Sequence, residues 1–243
     1  MNDVQLPRSL QVAGWPLRRV SLERFERYLE RHRPLVVEVS KNMVDGEVST
    51  KGLRRCLERY RETNPDARIS FAGTTDFTGC SGFPFDAYLG YLAIQVAQAR
   101  FLGATFFRFF VGEDTEAPED RVLDRLHQFG TLLDPILPLV ELHMGWESSL
   151  GRLDLLLEQT TCAFVVDFEN FMSSGLDAAD LLARLPESRV AYAHARNLPP
   201  DHVEHPSSLH LEQEWRAAQP ATPVLWEPKC LSCAQTLELI DVD

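Results

Sequence analysis

Ionisable residues end four consecutive apolar runs in the second half of the chain, at points where a buried strand would otherwise continue with apolar residues. Carboxylates and imidazoles are costly to bury unless they pair with each other or bind a cation. If the four runs are neighbouring strands, three carboxylates and one imidazole meet at one rim, and a bound cation is the simplest way to accommodate them. The residues at these ends are Glu141, Asp167, His194 and Glu227.

This set of donor atoms favours a hard divalent ion. Three oxygen donors with one nitrogen suit Mn²⁺ or Mg²⁺, and Co²⁺ or Zn²⁺ are possible alternatives. Structural zinc is disfavoured because no thiolate-rich set is present. The pair Cys230-x-x-Cys233 stands alone, and we interpret it as coincidence because a lone pair of this kind is a weak signal.

The elements that must position these residues alternate along the whole sequence. Short apolar runs recur at intervals of roughly 30 residues, the length of one βα unit, and amphipathic stretches separate them. Eight such units predict a closed (β/α)8 TIM barrel of parallel strands. A Gly-x-Gly-x-x-Gly motif is absent after the first strand, which disfavours a dinucleotide-binding sheet. The predicted strands are Leu10–Ala13, Leu35–Val39, Arg68–Ala72, Thr105–Val111, Leu139–His143, Ala163–Asp167, Val190–His194 and Val224–Glu227.

Helical periodicity fills most of the intervals between these strands. Leu22, Phe25 and Leu29 form a stripe after Ser21, a favourable N-cap residue. No linker rich in Gly, Ser or Pro interrupts the pattern, so we predict one barrel domain over residues 1–243. The other predicted helices lie within Leu53–Tyr60, Tyr88–Leu102, Ser148–Glu158, Ala178–Leu185, Leu209–Ala218 and Ala234–Ile240.

Length, charge and hydropathy limit the classes of function. The 243 residues match the typical size of one barrel of this kind, roughly 250 residues. A net charge of -12 disfavours binding to a nucleic-acid backbone. No run approaches the ~20 apolar residues that cross a bilayer, and no secretory signal is recognisable at the start. We therefore expect no nucleic-acid or membrane partner and a cytoplasmic location.

On these residues the sequence resembles the xylose isomerase-like barrel superfamily, which includes sugar-phosphate isomerases, ketose 3-epimerases and related dehydratases. In the epimerases the metal ligands are Glu, Asp, His and Glu on the last four strands, the same order as here. Glu147, six residues after Glu141, matches a second Glu of that family that contacts substrate. The stretch His194-Ala-Arg196-Asn197 resembles the family's His-x-Lys-Asp, and Val37-Glu38-Val39 resembles its Val-Glu-Leu second strand.

The resemblance implies a divalent-metal-dependent isomerase or epimerase that acts on a sugar or sugar phosphate, with a homo-oligomer as one possibility. The reaction would be proton transfer next to a carbonyl or hydroxyl, through an enediolate. Glu141 and Glu227 would act as general base and general acid. Asp167 and His194 would be metal ligands only.

Five further residues are candidates for contact with the substrate. Glu147 either contacts a hydroxyl or is a solvated or helix-capping residue next to Ser148. Trp15 either stacks on a sugar ring or plugs the barrel mouth. His143 either supplements the ligands or orients one of the carboxylates. The remaining two candidates are Arg196, for a hydroxyl or phosphate, and Asn170, which stands where the family often has a substrate-binding His.

Two departures from the family pattern keep alternative functions open. Asn170 replaces that His, and the segment Ile69–Gly73 lacks the His common at the end of the third strand. A dehydratase would use the same scaffold and metal, whereas a non-catalytic barrel would bind only a ligand or partner. An apurinic endonuclease is disfavoured by the acidic charge and the scarcity of histidines at strand ends.

One buried cation is also expected. Arg108 lies within the aromatic run Phe106–Phe110, where its charge needs an anionic partner. We predict that an interior carboxylate, such as that of Glu38, pairs with it in a structural role.

Overall fold

The computed structural model describes residues 20–44, 49–79, 82–173, 175, 178–196 and 206–227. The predicted first strand (Leu10–Ala13), Trp15 and the predicted last helix (Ala234–Ile240) lie outside the described residues. Asn197, Cys230 and Cys233 also lie outside them.

Parallel strands form a nearly closed barrel, and each strand pairs with the next one along the chain. Helices follow on from most of these strands, so the architecture is the predicted α/β TIM barrel. The seven strands of the described ranges correspond to the second to eighth predicted strands, and their ends differ from the prediction by at most two residues. Their bounds are β1 Val36–Ser40, β2 Arg68–Ala72, β3 Phe106–Phe109, β4 Leu137–Leu142, β5 Ala163–Asp167, β6 Val190–Ala195 and β7 Val224–Trp226.

The helices pack outside the barrel, and three of them begin at a serine cap. The side chains of Ser21, Ser49 and Ser149 each accept a hydrogen bond from a backbone N–H of the first helical turn. No helix of the described ranges is long and apolar enough to cross a membrane. The helices are α1 Leu22–His32, α2 Lys41–Val44, α3 Thr50–Thr63, α4 Phe85–Phe101, α5 Glu119–Leu133, α6 Leu150–Gln159, α7 Phe168–Ser173, α8 Ala178–Arg184 and α9 Pro206–Ala218.

Three of these helices, α2, α5 and α7, are absent from the sequence prediction. The short helix α7 corrects one detail of the candidate site. Strand alternation predicts that Glu169 continues the inward face of Asp167, but β5 ends at Asp167 and Phe168 already begins α7. Glu169 therefore lies on a helix and does not share the face of Asp167.

The core has two parts, one on each side of the strands. Outside the barrel, aromatic rings pack between β3 and α5, with Phe107 and Phe109 against Phe129. Inside the barrel, a smaller apolar cluster fills the interior, and five of its six buried residues lie two positions before a charged residue that is on the same strand or directly follows it. Because side chains alternate along a strand, the polar residues also point inward, one layer nearer the mouth. These five residues are Val36, Leu139, Val165, Tyr192 and Leu225, and the sixth member is Ala163.

Candidate metal centre

Four buried side chains at adjacent strand ends converge in the barrel. Glu141, Asp167 and His194 come from β4, β5 and β6, and Glu227 follows β7 directly. Each offers one donor atom, and these four atoms all lie within 4.8 Å of one another. The structure therefore brings together the four residues that the sequence singles out as candidate ligands.

His194 presents one ring nitrogen to this cluster and uses the other to hold itself in place. Its Nε2 lies 3.2 Å from a carboxylate oxygen of Glu38. An ionised carboxylate only accepts hydrogen bonds, so Nε2 carries the proton. Among the described residues Nδ1 has no hydrogen-bond partner, and it faces Glu141 Oε1 at 3.4 Å and Glu227 Oε2 at 3.8 Å. This orientation suits a metal-binding histidine, whose second nitrogen is usually fixed by a carboxylate.

Glu38 is the fully buried centre of a hydrogen-bond network beneath the cluster. It accepts a hydrogen bond from the Tyr192 hydroxyl at 2.8 Å, and Tyr192 in turn contacts the Ser70 hydroxyl at 2.7 Å. Arg108 Nε lies 3.0 Å from Glu38 Oε2, so the predicted ion pair between these residues is confirmed. Sequence reasoning missed the role of Glu38 beside His194, although a carboxylate within an apolar strand is a visible signal.

Arg108 does more than pair with Glu38. Its Nη1 also forms an ion pair with Glu141, one of the four cluster residues. The predicted purely structural role is therefore too narrow, because this guanidinium contacts a candidate ligand directly. The negative charge of Glu38 holds the pKa of Arg108 above its usual value against the opposing effect of burial.

Asp167 is held by two residues that the sequence assigns to substrate contact. Asn170 donates to it twice, from its backbone N–H and from its side-chain amide, at 2.9 Å each. Arg196 Nη2 lies 3.3 Å from Asp167 Oδ2 and donates to Asn170 Oδ1 at 2.9 Å. Both side chains are buried, so this geometry favours orientation of Asp167 over direct contact with a substrate.

The described groups around the cluster carry an excess of two negative charges when the four carboxylates are ionised and His194 is neutral. These groups are the carboxylates of Glu38, Glu141, Asp167 and Glu227 and the guanidinium groups of Arg108 and Arg196. The pKa of Glu227 is raised, first by burial and then by neighbouring carboxylates that include Asp167. Burial lowers the pKa of His194, but attraction to Glu38 and Glu227 outweighs it, so the net direction is upward. A divalent cation would neutralise this excess and bind the free His194 nitrogen.

A cavity of about 770 Å³ opens one layer nearer the mouth, over the loops that follow β2, β3 and β4. Phe110 and His143 line it, each two residues beyond a charged residue of the lower layer, Arg108 and Glu141 respectively. The rings of Phe110 and His143 pack with centroids 4.6 Å apart. His143 therefore belongs to the wall of the cavity and not to the four-residue cluster.

Glu147 lies in the wall of the same cavity and is 2% exposed. Neither of its carboxylate oxygens makes a hydrogen bond of good geometry within the described residues. Burial raises its pKa to about 8, although backbone N–H groups of Val111, Gly112 and His143 act in the opposite direction. The solvated and helix-capping interpretations of Glu147 are wrong, because the residue is buried and because Ser149 caps helix α6. Contact with a substrate stays a prediction.

The wall of the cavity is built from loops that interlock closely. The backbone N–H of Trp146 donates to Gly112 O at 2.8 Å. A Cβ atom at Gly145 would lie 2.3 Å from the same oxygen, and Gly112 has a φ of +149° that favours glycine. Substitution of either glycine would push the loops apart, so the shape of the cavity depends on both.

No protein-family model matches the sequence, and no curated protein matches it either. Solved structures do share its fold. A xylose isomerase domain-containing protein from Salmonella typhimurium LT2 superposes with a TM-score of 0.71 at 14% identity, over 96% of this chain and 95% of that one. The probable 3-DHS dehydratase AsbF from Bacillus anthracis gives 0.67 at 12% identity, over 94% and 95%. D-psicose 3-epimerase, crystallised with D-fructose, gives 0.60 at 11% identity, over 86% and 81%.

These similarities confirm the resemblance at the level of the fold. The chain has the xylose isomerase-like TIM barrel fold. Sequence identities this low do not carry a substrate or a reaction from one protein to another.

Replacing Glu38 tests its role beside His194. Glu38→Gln removes the charge that fixes the His194 ring and pairs with Arg108, so we expect about 10–100-fold weaker Mn²⁺ binding. Electron paramagnetic resonance titration of free Mn²⁺ measures this, with thermal unfolding as a check on folding. Glu62→Gln, on the exposed face of α3, is the matched control. Unchanged Mn²⁺ affinity in a folded Glu38→Gln protein would contradict the assignment.

Glu147 predicts a dependence of stability on pH. Its pKa is about 8 in the folded chain and roughly 4.3 in an unfolded one, so the folded state holds the extra proton between these values. The stability that protonation of Glu147 gives to the folded state is fully present below the pKa of this residue in the unfolded chain. It is lost as the pH rises through 8. Relative to Glu147→Gln, the native protein should lose roughly 3–4 kcal/mol between pH 5 and pH 8.5.

Urea unfolding at both pH values, without added ligand, measures this difference. The control Glu158→Gln alters an exposed carboxylate on α6 and should follow the native protein at both pH values. A constant difference between the native protein and Glu147→Gln would show that Glu147 titrates normally.

Proposed function

We propose that this chain is a divalent-metal-dependent isomerase or epimerase that moves a proton at a carbon next to a carbonyl or hydroxyl of a sugar or sugar phosphate. The observation that carries the proposal is the cluster of Glu141, Asp167, His194 and Glu227, whose donor atoms lie within 4.8 Å of one another. The excess of two buried negative charges around it supports a divalent ion as the occupant. The same order of residues in the ketose 3-epimerases supports the type of reaction.

The four residues would hold the ion with three carboxylates and His194 Nδ1. Mn²⁺ or Mg²⁺ suits this oxygen-rich set best, with Co²⁺ or Zn²⁺ as alternatives. Such an ion, when bound, supplies Lewis acidity for the negative charge that develops on substrate oxygens. Asn170 and Arg196 would keep Asp167 in its orientation, and Glu38 would do the same for His194.

We assign proton transfer to two residues of the cluster, Glu141 on β4 and Glu227 directly after β7. We propose that one removes the proton from the substrate carbon and the other exchanges a proton with the substrate oxygen. Both carboxylates lie beside His194 Nδ1, at 3.4 Å and 3.8 Å, so both would lie next to a substrate bound at the ion. Positioned groups of this kind each contribute on the order of 10²–10⁴-fold in rate.

The cavity above the cluster would receive the rest of the substrate. The carboxylate oxygens of Glu147 lie in its wall, lack a hydrogen-bond partner of good geometry among the described residues, and would accept hydrogen bonds from substrate hydroxyls. His143 and Phe110 would line the path between the cavity and the cluster. A stacking role for Trp15 stays a prediction, because that residue lies outside the described ranges.

A dehydratase is the second candidate, supported by the shared fold with AsbF. It would use the same ligands and carboxylates on a substrate that loses water after the proton is removed. A non-catalytic barrel is the third, and it predicts no tightly bound divalent ion. The metal content of the purified protein therefore separates the third candidate from the first two, and product analysis separates the first from the second.

The test combines metal analysis with substitution of the two carboxylates. Protein purified and loaded with Mn²⁺ is expected to hold about one ion per chain and to interconvert members of a panel of ketoses and ketose phosphates. Glu141→Gln and Glu227→Gln should each lower the rate by about 10²–10⁴-fold, while the exposed control Glu158→Gln leaves it unchanged. Undiminished activity in both variants, or no bound ion after loading, would refute the proposal.

A further inference from the structure

Helix α4 is apolar on the side that faces away from the barrel as well as on the side that packs against it. The inner side is buried through residues such as Leu92, Val96 and Ala99. The only charged residues of this helix are Asp86 in the first turn and Arg100 in the last turn. A helix that is apolar all round is normally buried on all sides, and the described part of a single copy of this chain buries only one.

The outer side of α4 exposes large apolar side chains. Tyr91 is 40%, Ile94 61% and Phe101 37% exposed, and Phe83, just before the helix, is 63% exposed. An exposed apolar patch of this size marks a contact surface more often than a surface that faces water. The outer faces of the flanking helices α3 and α5 carry charged residues instead, among them Arg55, Glu58, Arg121 and Asp124.

Small residues alternate with the large ones on this side of α4. Ala87, Gly90 and Ala97 are all exposed there. A Cβ atom at Gly90 would have no described residue within 4 Å, so no contact among the described residues requires a glycine. Because glycine destabilises the interior of a helix relative to alanine, its position here fits close approach by the backbone of a second molecule.

The exposed side of α4 is self-complementary about Ile94. If two α4 helices pack antiparallel with Ile94 at a two-fold axis, each residue lies opposite the one that is equally far from Ile94 in the other direction. Large side chains that fit beside small ones allow two helices to interdigitate. The opposed residues, three, four and seven positions from Ile94, combine a large side chain with a small one in every case: Tyr91 with Ala97, Gln98 with Gly90, and Phe101 with Ala87.

The charges at the two ends of α4 favour the same antiparallel orientation. Antiparallel packing brings Asp86 of each copy close to the last turn of the other, where Arg100 lies. Arg100 donates hydrogen bonds to Leu132 O at 2.9 Å and Asp134 O at 2.8 Å, and these uncharged acceptors leave its positive charge in place. Parallel packing would bring like charges together and would also align the two helix dipoles unfavourably.

The exposed area is sufficient for a contact between two copies. An aromatic side chain buries roughly 200 Å², so the exposed fractions of the four large side chains amount to about 400 Å² per chain. Two copies would together cover about 800 Å² of apolar surface. Because about two-thirds of a homodimer interface is apolar, the whole contact would exceed the roughly 1,000 Å² of a specific interface.

We infer that the outer face of α4 is the interface of a homodimer, in which α4 packs antiparallel against α4 of a second copy with Ile94 at the two-fold axis. A second copy fits this face better than an unrelated protein, because the order of large and small residues and of terminal charges complements itself when reversed. The interface lies outside the barrel, so this inference does not depend on the proposed function.

Sedimentation velocity of the full chain from about 1 to about 100 µM tests the inference, and we expect a dimer with a micromolar or lower Kd. Ile94→Arg would place two like charges opposite each other at the axis and should weaken dimerisation at least about tenfold. Leu35→Arg alters an equally apolar residue outside α4 that is 54% exposed and should leave the Kd unchanged. Thermal unfolding checks that each variant is folded.

Ala97→Trp separates specific packing from general adhesion. It adds apolar surface to the face, so non-specific association would become tighter. In the inferred register the new ring would collide with the partner's Tyr91, so dimerisation should weaken severalfold. Unchanged or tighter association of Ala97→Trp would overturn the inference, and so would equal losses in Ile94→Arg and Leu35→Arg.

A native chain that stays monomeric over the whole concentration range would also overturn the inference. Cosedimentation of that monomer with phosphatidylcholine vesicles, lost in Ile94→Arg and kept in Leu35→Arg, would then assign the outer face of α4 to a membrane surface.

Discussion

Buried negative charge at the centre of the barrel is the constraint on which the rest of the structure depends. Four carboxylates converge there, and in the described part of the chain two guanidinium groups oppose them. Charges of one sign are not stable in an apolar interior unless a counter-charge is close. Arg108 lies between Glu38 and Glu141 for this reason, and a divalent ion among the four donor atoms would supply the remaining compensation.

The barrel makes this concentration of charge possible because its interior is layered, with apolar residues in one layer and charged residues in the next. Apolar residues fill the inner layer, and the charged residues follow two positions later on the same strands. Strand alternation thus places a rigid apolar plug directly beneath the cluster. Glu38 and Asn170 then fix the orientation of His194 and Asp167, and the interlocked loops after β2, β3 and β4 shape a cavity above. The arrangement resembles a preformed site more than one that must fold around its ligand.

The sequence predicts the strands and the four cluster residues well, because both follow from local patterns. Apolar runs mark the strands, and a charged residue at the end of a run is visible without coordinates. Asn170 and Arg196 could not be placed in this way, because their partner Asp167 lies on an element whose end depends on the short helix α7. The burial of Glu147 also depends on packing between loops distant in sequence. Helix α5 was missed although its apolar spacing, with Val122, Leu126 and Phe129 buried, is helical.

The central claim is that Glu141, Asp167, His194 and Glu227 share one divalent ion. Anomalous diffraction at the manganese absorption edge, from crystals grown with Mn²⁺, tests it most directly. The account predicts one strong peak inside the barrel, bonded to three carboxylates and His194 Nδ1 at roughly 2.0–2.4 Å. A barrel interior without such a peak, or a peak bonded to fewer than three of these side chains, would contradict it.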